Sequence, residues 1–184
     1  MRTLPALALA GLLAASVACS GTRPAEPAAA PEVRPTGTIK EIMDSVIDPS
    51  ADVLWESVST TIDRAGQTDH MPRTDEDWKT VRRSAVSLVE ATNLLVIGPR
   101  RVAPAGDKSE YPGIELEPEQ IQKTLDADRA AWVRYAHGLH DAAMVALKAI
   151  DSKNVQGLMD AGETIDEACE NCHKHYWYPD QKVS

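Results

Sequence analysis

The sequence predicts an all-α fold, an antiparallel up-down four-helix bundle with a kinked or split first helix and an N-terminal tether without regular structure. Three observations predict it: four principal segments carry apolar residues at helical spacing, no stretch of any length alternates with strand period, and the last two segments are joined by a very short link. No internal repeat is evident.

Residues 1–18 hold one cation, Arg2, and then an apolar run from Leu7 to Val17 that ends in small residues. This is the build of a secretory signal, too short to span a bilayer comfortably. The segment Ser16-Val17-Ala18-Cys19 admits two readings, an ordinary signal-peptidase cut or a bacterial lipobox that makes Cys19 the lipidated residue; the second accounts for an otherwise unpaired exported thiol. Residues 19–36 are almost entirely Ala, Pro, Glu, Arg and Thr, an expected tether reaching about 50 Å at roughly 3 Å per residue. Residues 37–178 form the expected folded domain and 179–184 a short tail.

Ile39, Ile42, Met43, Val46 and Ile47 define the first helical face, and Asp48-Pro49 looks like a break and restart before Ala51, Leu54, Trp55 and Val58. Residues from about Ser59 to Arg73 mix Thr, Asp, Gly and Pro and are expected to be a loop. Thr74 and the acids Asp75, Glu76 and Asp77 then open a helix whose inward stripe is Trp78, Val81, Ala85, Leu88, Thr92 and Leu95, stopped by Gly98-Pro99. A long polar loop is expected from about Arg100 to Leu116. Pro118 begins the longest predicted helix, with Ile121, Leu125, Trp132, Ala136, Leu139, Ala143, Leu147 and Ile150 on one face, and Asp151-Ser152 supplies a tight junction and cap. The last helix carries Leu158, Gly162, Ile165, Cys169, Cys172 and Tyr176 on its stripe. With no Phe in the chain, Trp55, Trp78, Trp132 and Trp177 are the expected bulky packing.

Composition narrows the partners. Only Arg2 among the 19 Lys and Arg lies in residues 1–18, so the exported chain keeps 18 cations against 28 carboxylates. Such acidity argues against nucleic acid and against an anionic membrane as partners, leaving membrane association to a lipid anchor, and it mildly favours a basic protein. Nothing in the pattern pairs a nucleophile with a base, so no enzymatic activity is expected.

The chemistry concentrates in Cys169-Glu170-Asn171-Cys172-His173. Two thiols separated by two residues, followed at once by an imidazole, form the attachment pattern for c-type haem: the thiols add across the porphyrin vinyls and the histidine ligates iron. With only three cysteines in the chain no disulfide framework competes. A thioredoxin-like site would need a strand-helix-strand context, and a zinc site would need further ligands, for which His175 is the nearest candidate.

A helical bundle with its single C-x-x-C-H on the last helix, an aromatic residue, Tyr176, three positions after the histidine, and a methionine in the first helix resembles the cytochrome c-prime family (class II c-type cytochromes), most closely its low-spin six-coordinate members. The resemblance implies thioether bonds at Cys169 and Cys172, one covalent haem c, His173 as proximal iron ligand and Met43 as the sixth ligand. It implies a periplasmic one-electron carrier working through a redox protein partner, and a homodimer packed through the first two helices. Trp177 stands where that family usually has arginine. Without a side chain on iron the resemblance implies instead a five-coordinate protein binding a diatomic gas. A third reading, from another class, is a non-haem helical lipoprotein acting as an interaction module. Met71, His70, Met144, Met159, His140 and His137 are the remaining candidates for iron, and Lys40, Arg100 and Arg101 are candidate partners for the haem propionates.

Overall fold

The computed structural model describes residues 32–179, so the signal segment, Cys19, most of the tether and the last five residues lie outside the described residues. The chain divides into two units, Met1–Glu32 and Val33–Ser184, and every described helix and strand belongs to the second.

The described chain is mostly helical. The first helical run is α1 (Ile39–Ile42), a π-helical turn (Met43–Ile47) and α2 (Asp48–Ser57), which succeed one another without a gap. Thr38 opens it with a reciprocal cap, its hydroxyl accepting from the Glu41 N–H at 3.2 Å while the Glu41 carboxylate accepts from the Thr38 N–H at 2.8 Å. Pro49 explains the π turn. Its ring would collide with the carbonyl four residues back and it has no N–H to donate. The wider turn relieves the clash, with the Asp48 N–H donating to the Met43 carbonyl five residues earlier. The expected break is therefore a change of winding within a continuing helix. The extra residue also shifts the inward face: Ile42, Ile47, Ala51 and Leu54 are buried, whereas Val46 is only partly so.

Between α2 and α3 (Asp75–Val96) the expected loop contains a small hairpin, β1 (Thr60–Asp63) antiparallel to β2 (Gly66–Asp69), turning at Gly66 with φ 123°. Every residue of both strands is exposed, which is why no apolar alternation announced them. Thr74 and Asp77 cap α3 as Thr38 and Glu41 cap α1, and all six stripe residues from Trp78 to Leu95 are buried.

The predicted long helix from Pro118 is two helices, α4 (Pro118–Ala127) and α5 (Arg129–Asp151). Asp128 interrupts it at φ −138°, ψ 74°, and its carboxylate accepts from the Ala131 N–H at 2.8 Å, the local bond by which Asp competes with helix interior. The next junction is capped by Asn154 rather than by Ser152: Asn154 Oδ1 accepts from the Gly157 N–H at 3.0 Å, after Lys153 at φ 51°, and leads into α6 (Val155–Tyr176).

Helix α3 packs against α5 and α2, and α6 packs against α5 and α2, so the core lies among these four. Ala85, Ala143, Ala146 and Ala161 are fully buried, letting the helices approach closely where no Phe keeps them apart. Trp78 and Trp132 are buried and Trp55 is half-buried, but Trp177 is exposed and does not join the core as expected. The segment between α3 and α4 departs from the expected polar loop in one respect. Val102 and Ala103 are buried, and the Arg101 and Val102 carbonyls accept from the Ile39 and Lys40 N–H groups at 2.9 and 2.8 Å, satisfying donors that the first turn of α1 leaves open.

Candidate functional site

Two cavities, of about 200 and 240 Å³, meet beside the last turns of α6. Met43, Asp48, Trp132, Cys172 and His173 line both. Cys169 faces the first cavity, together with Asp166 and Glu170; Tyr176 faces the second, beneath residues of the segment that leads into α4. The spacing of α6 produces this. Cys169, Cys172 and Tyr176 continue the line of Leu158 and Ile165 down one face, and where the fully buried apolar residues end, the half-buried thiols begin.

The thiols are protonated at neutral pH. Burial, reinforced by the nearby Asp48 and Asp166 carboxylates, pushes Cys169 up to about 11, and burial pushes Cys172 up to about 12. A nucleophilic or thioredoxin-like cysteine needs the opposite, an electropositive and accessible setting. Burial holds His173 below the ordinary imidazole range against the pull of Glu170, so its ring is neutral, the form that binds a metal. The ring has Trp177 edge-on at 5.0 Å and Tyr178 at 6.1 Å, and the Tyr178 hydroxyl donates to the Glu170 carboxylate at 2.6 Å. Lys174 pairs with the same carboxylate at 3.3 Å. Neither the Trp177–His173 contact nor the Tyr178–Glu170 clamp was visible in the sequence, although aromatics four and five residues past the motif's histidine were the available signal.

His175 turns the other way, stacking on Tyr135 at 5.2 Å, and among the described residues no three His, Cys, Asp or Glu gather as a metal cage. The rival iron ligands are elsewhere. His70 and Met71 line an open cleft against α3, Met144 and Met159 are exposed, His137 is exposed, and His140 lies 3.3 Å from the Asp141 carboxylate; none of the six lines either cavity.

Of the three expected propionate partners, only Lys40 lines the second cavity, and it is held by Asp107 and Glu110 at 3.1 Å each. Arg100 and Arg101 belong to a different depression under residues 98–104. Arg100 donates to the Gly37 carbonyl at 2.6 Å and the Leu94 carbonyl at 2.8 Å, where it completes the end of α3.

Two thiols, the His173 imidazole and the Met43 thioether are brought to the same joined cavities and are the residues that would hold a haem if one were bound there. One buried polar atom lacks a hydrogen-bond partner among the described residues, the Tyr176 hydroxyl. No protein-family model, no curated protein and no solved structure matches this chain.

Proposed function

We propose that this chain is a periplasmic monohaem c-type cytochrome acting as a one-electron carrier, similar to the low-spin cytochromes of the c-prime family and built as an antiparallel up-down four-helix bundle with a bulged first helix. In this reading Cys169 and Cys172 would carry the thioether bonds, His173 and Met43 would hold the iron, and Cys19 would be the lipid anchor. The observation that carries the reading is that Met43, from the first helical run, and Cys172 and His173, from the last, line the same two joined cavities.

When bound, the haem supplies the iron that takes up and releases one electron. The protein's part is to hold the imidazole neutral and edge-packed, to present an uncharged thioether that favours the reduced state, and to keep bulk water from the space through Trp132, Leu139 and Ile47. Among the described residues no helix is long and apolar enough to cross a membrane, and the membrane link of this proposal rests on Cys19 alone.

Haem staining after denaturing electrophoresis of protein made in a maturation-competent host tests the covalent bond; an unstained band at the right mass removes the reading and leaves the interaction module. With haem present, Met43→Ala is expected to convert a low-spin ferric spectrum to a high-spin one and to let ferrous protein bind carbon monoxide. A parent that is already high-spin and binds the gas would establish the five-coordinate alternative instead.

A further inference from the structure

Along the seam of α2 and α6 runs an open groove of about 620 Å³. Trp55, Val58, Met159 and Gly162 form its floor, and Glu163, Asp166 and Glu167 form its rim on α6. Trp55 and Asp166 also line the first of the two joined cavities, so the groove shares a wall with the space that Cys169 faces. The Trp55 ring is fixed in advance. Its indole N–H donates to the Gly162 carbonyl at 3.0 Å, and a Cβ at position 162 would stand 3.1 Å from its Cδ1. A held indole and the exposed Met159 within an acidic rim have the make-up of a protein-binding surface, whose centre is enriched in aromatic residues and methionine and whose edge is polar.

Charge decides the occupant. No Lys or Arg occurs from residue 41 to 63 or from 154 to 173, the stretches that supply all of α2 and most of α6. Glu163, Asp166 and Glu167 are exposed and have no ion-pair partner among the described residues. Several acids on other faces are matched instead: Asp75 by Lys153, Asp151 by Arg82, Asp107 and Glu110 by Lys40. A second copy of the chain would set the same acids against these, and an anionic lipid surface would be repelled. The contact face that suits the groove is basic around an apolar centre.

Resting on the cytochrome reading, we infer that this groove docks the redox partner, a protein that presents lysines and arginines around an apolar contact, and that the one-electron exchange takes place across the wall shared with the first cavity. One centre loses the electron that the other gains, and no bond forms or breaks.

The test is stopped-flow electron exchange between the holoprotein and a basic probe, a mitochondrial-type cytochrome c ringed by lysines, one reduced and the other oxidised so that transfer runs downhill. The same probe with its lysines succinylated carries negative charge in their place. Glu163→Gln with Glu167→Gln removes two exposed charges outside either cavity, and Glu90→Gln with Glu119→Gln removes two exposed charges away from the groove. At an ionic strength of about 0.01 M, where the screening length is about 30 Å, the groove pair is expected to slow exchange roughly threefold to tenfold and the control pair by less than about 1.5-fold. Near 1 M, with a screening length of about 3 Å, the groove pair should match the parent. Met159→Gln changes no charge and is expected to slow exchange roughly twofold to fivefold at both. Equal slowing by the two pairs overturns the inference, because net charge alone then governs the rate. An unchanged groove pair, an unchanged Met159→Gln, or a parent that reacts faster with the succinylated probe overturns it too. Reduction potentials measured on each variant separate docking from driving force. Failure of the cytochrome reading shows earlier, as a parent without covalent haem.

Discussion

Trp132→Phe removes one donor and three ring atoms from a side chain that is 3% exposed. The Trp132 indole N–H donates at 2.8 Å to the Leu95 carbonyl in the last turn of α3. In a continuing helix that carbonyl would take the N–H of residue 99, but residue 99 is proline, so the indole is its substitute. Leaving a buried carbonyl unpaired costs about 1–3 kcal/mol, and deleting three buried ring atoms costs roughly another 1–2 kcal/mol in lost transfer energy and incomplete collapse. The sum, about 2–5 kcal/mol, corresponds to a fall in Tm of about 4–20 °C at 2–4 °C per kcal/mol for a domain of this size. Phenylalanine keeps the edge-on contact with Tyr176, so that term stays out of the difference. Thermal unfolding followed by far-ultraviolet circular dichroism on parent and variant with equal haem content measures it. A fall of less than about 2 °C would refute the reasoning, since the Leu95 carbonyl would then have another partner and the wall would have closed without cost.

Two helical glycines should part company. Gly138→Ala places a methyl in open space on an exposed face of α5 and is expected to stabilise by about 0.5–1 kcal/mol. Gly162→Ala places one 3.1 Å from Trp55 Cδ1, beside the 3.0 Å bond from the Trp55 indole N–H to the Gly162 carbonyl, and is expected to show no such gain in urea unfolding; equal gains at both sites would contradict the packing described. Asp48 is held above the ordinary carboxylate range by burial, Asp44 and Asp52. A raised folded pKa means ionisation of this group works against the fold as pH rises through it, so Asp48→Asn should raise Tm at pH 7 and lose that advantage below about pH 4; a difference independent of pH would count against it. Asp77 has the reverse sign. The Arg73 and Thr74 N–H groups hold its carboxyl low, so its stabilisation is present above the ordinary carboxylate pKa and fades as pH falls through the lower folded value, and Asp77→Asn should flatten the acid limb of a Tm–pH curve.

The helix faces were legible because burial imposes a period: Trp78 to Leu95 and Leu158 to Ile165 lie inside as the spacing required. The pattern C-x-x-C-H was legible because its chemistry is local. The hairpin at residues 60–69 was hidden because nothing in it is buried, and the Asp128 interruption because the stripe runs through it from Leu125 to Trp132 without a Gly or Pro to mark the gap. That Arg100 and Arg101 lie away from both cavities was hidden for a related reason. A cation's sequence neighbourhood says nothing about which carbonyls at the end of a distant helix need a donor, and α3 claimed Arg100. The orphan hydroxyl of Tyr176 is visible only once Trp132 and Tyr135 of α5 pack against its ring.

The π turn at Met43–Ile47 gives Pro49 an influence over a residue it never touches. One residue inserted in a helix turns everything before it by about 100° relative to everything after it. With Ala51 and Leu54 anchored in the core, that rotation turns Ile42 onto the buried stripe of Ile47, where regular winding would have put Met43, and sets Met43 half-buried at its edge, on the walls of both cavities. A chain with alanine at position 49 could wind this segment regularly, keep all the other side chains, and aim its thioether elsewhere. The face on which Met43 stands is thus written six residues downstream, in a ring that has no hydrogen on its nitrogen.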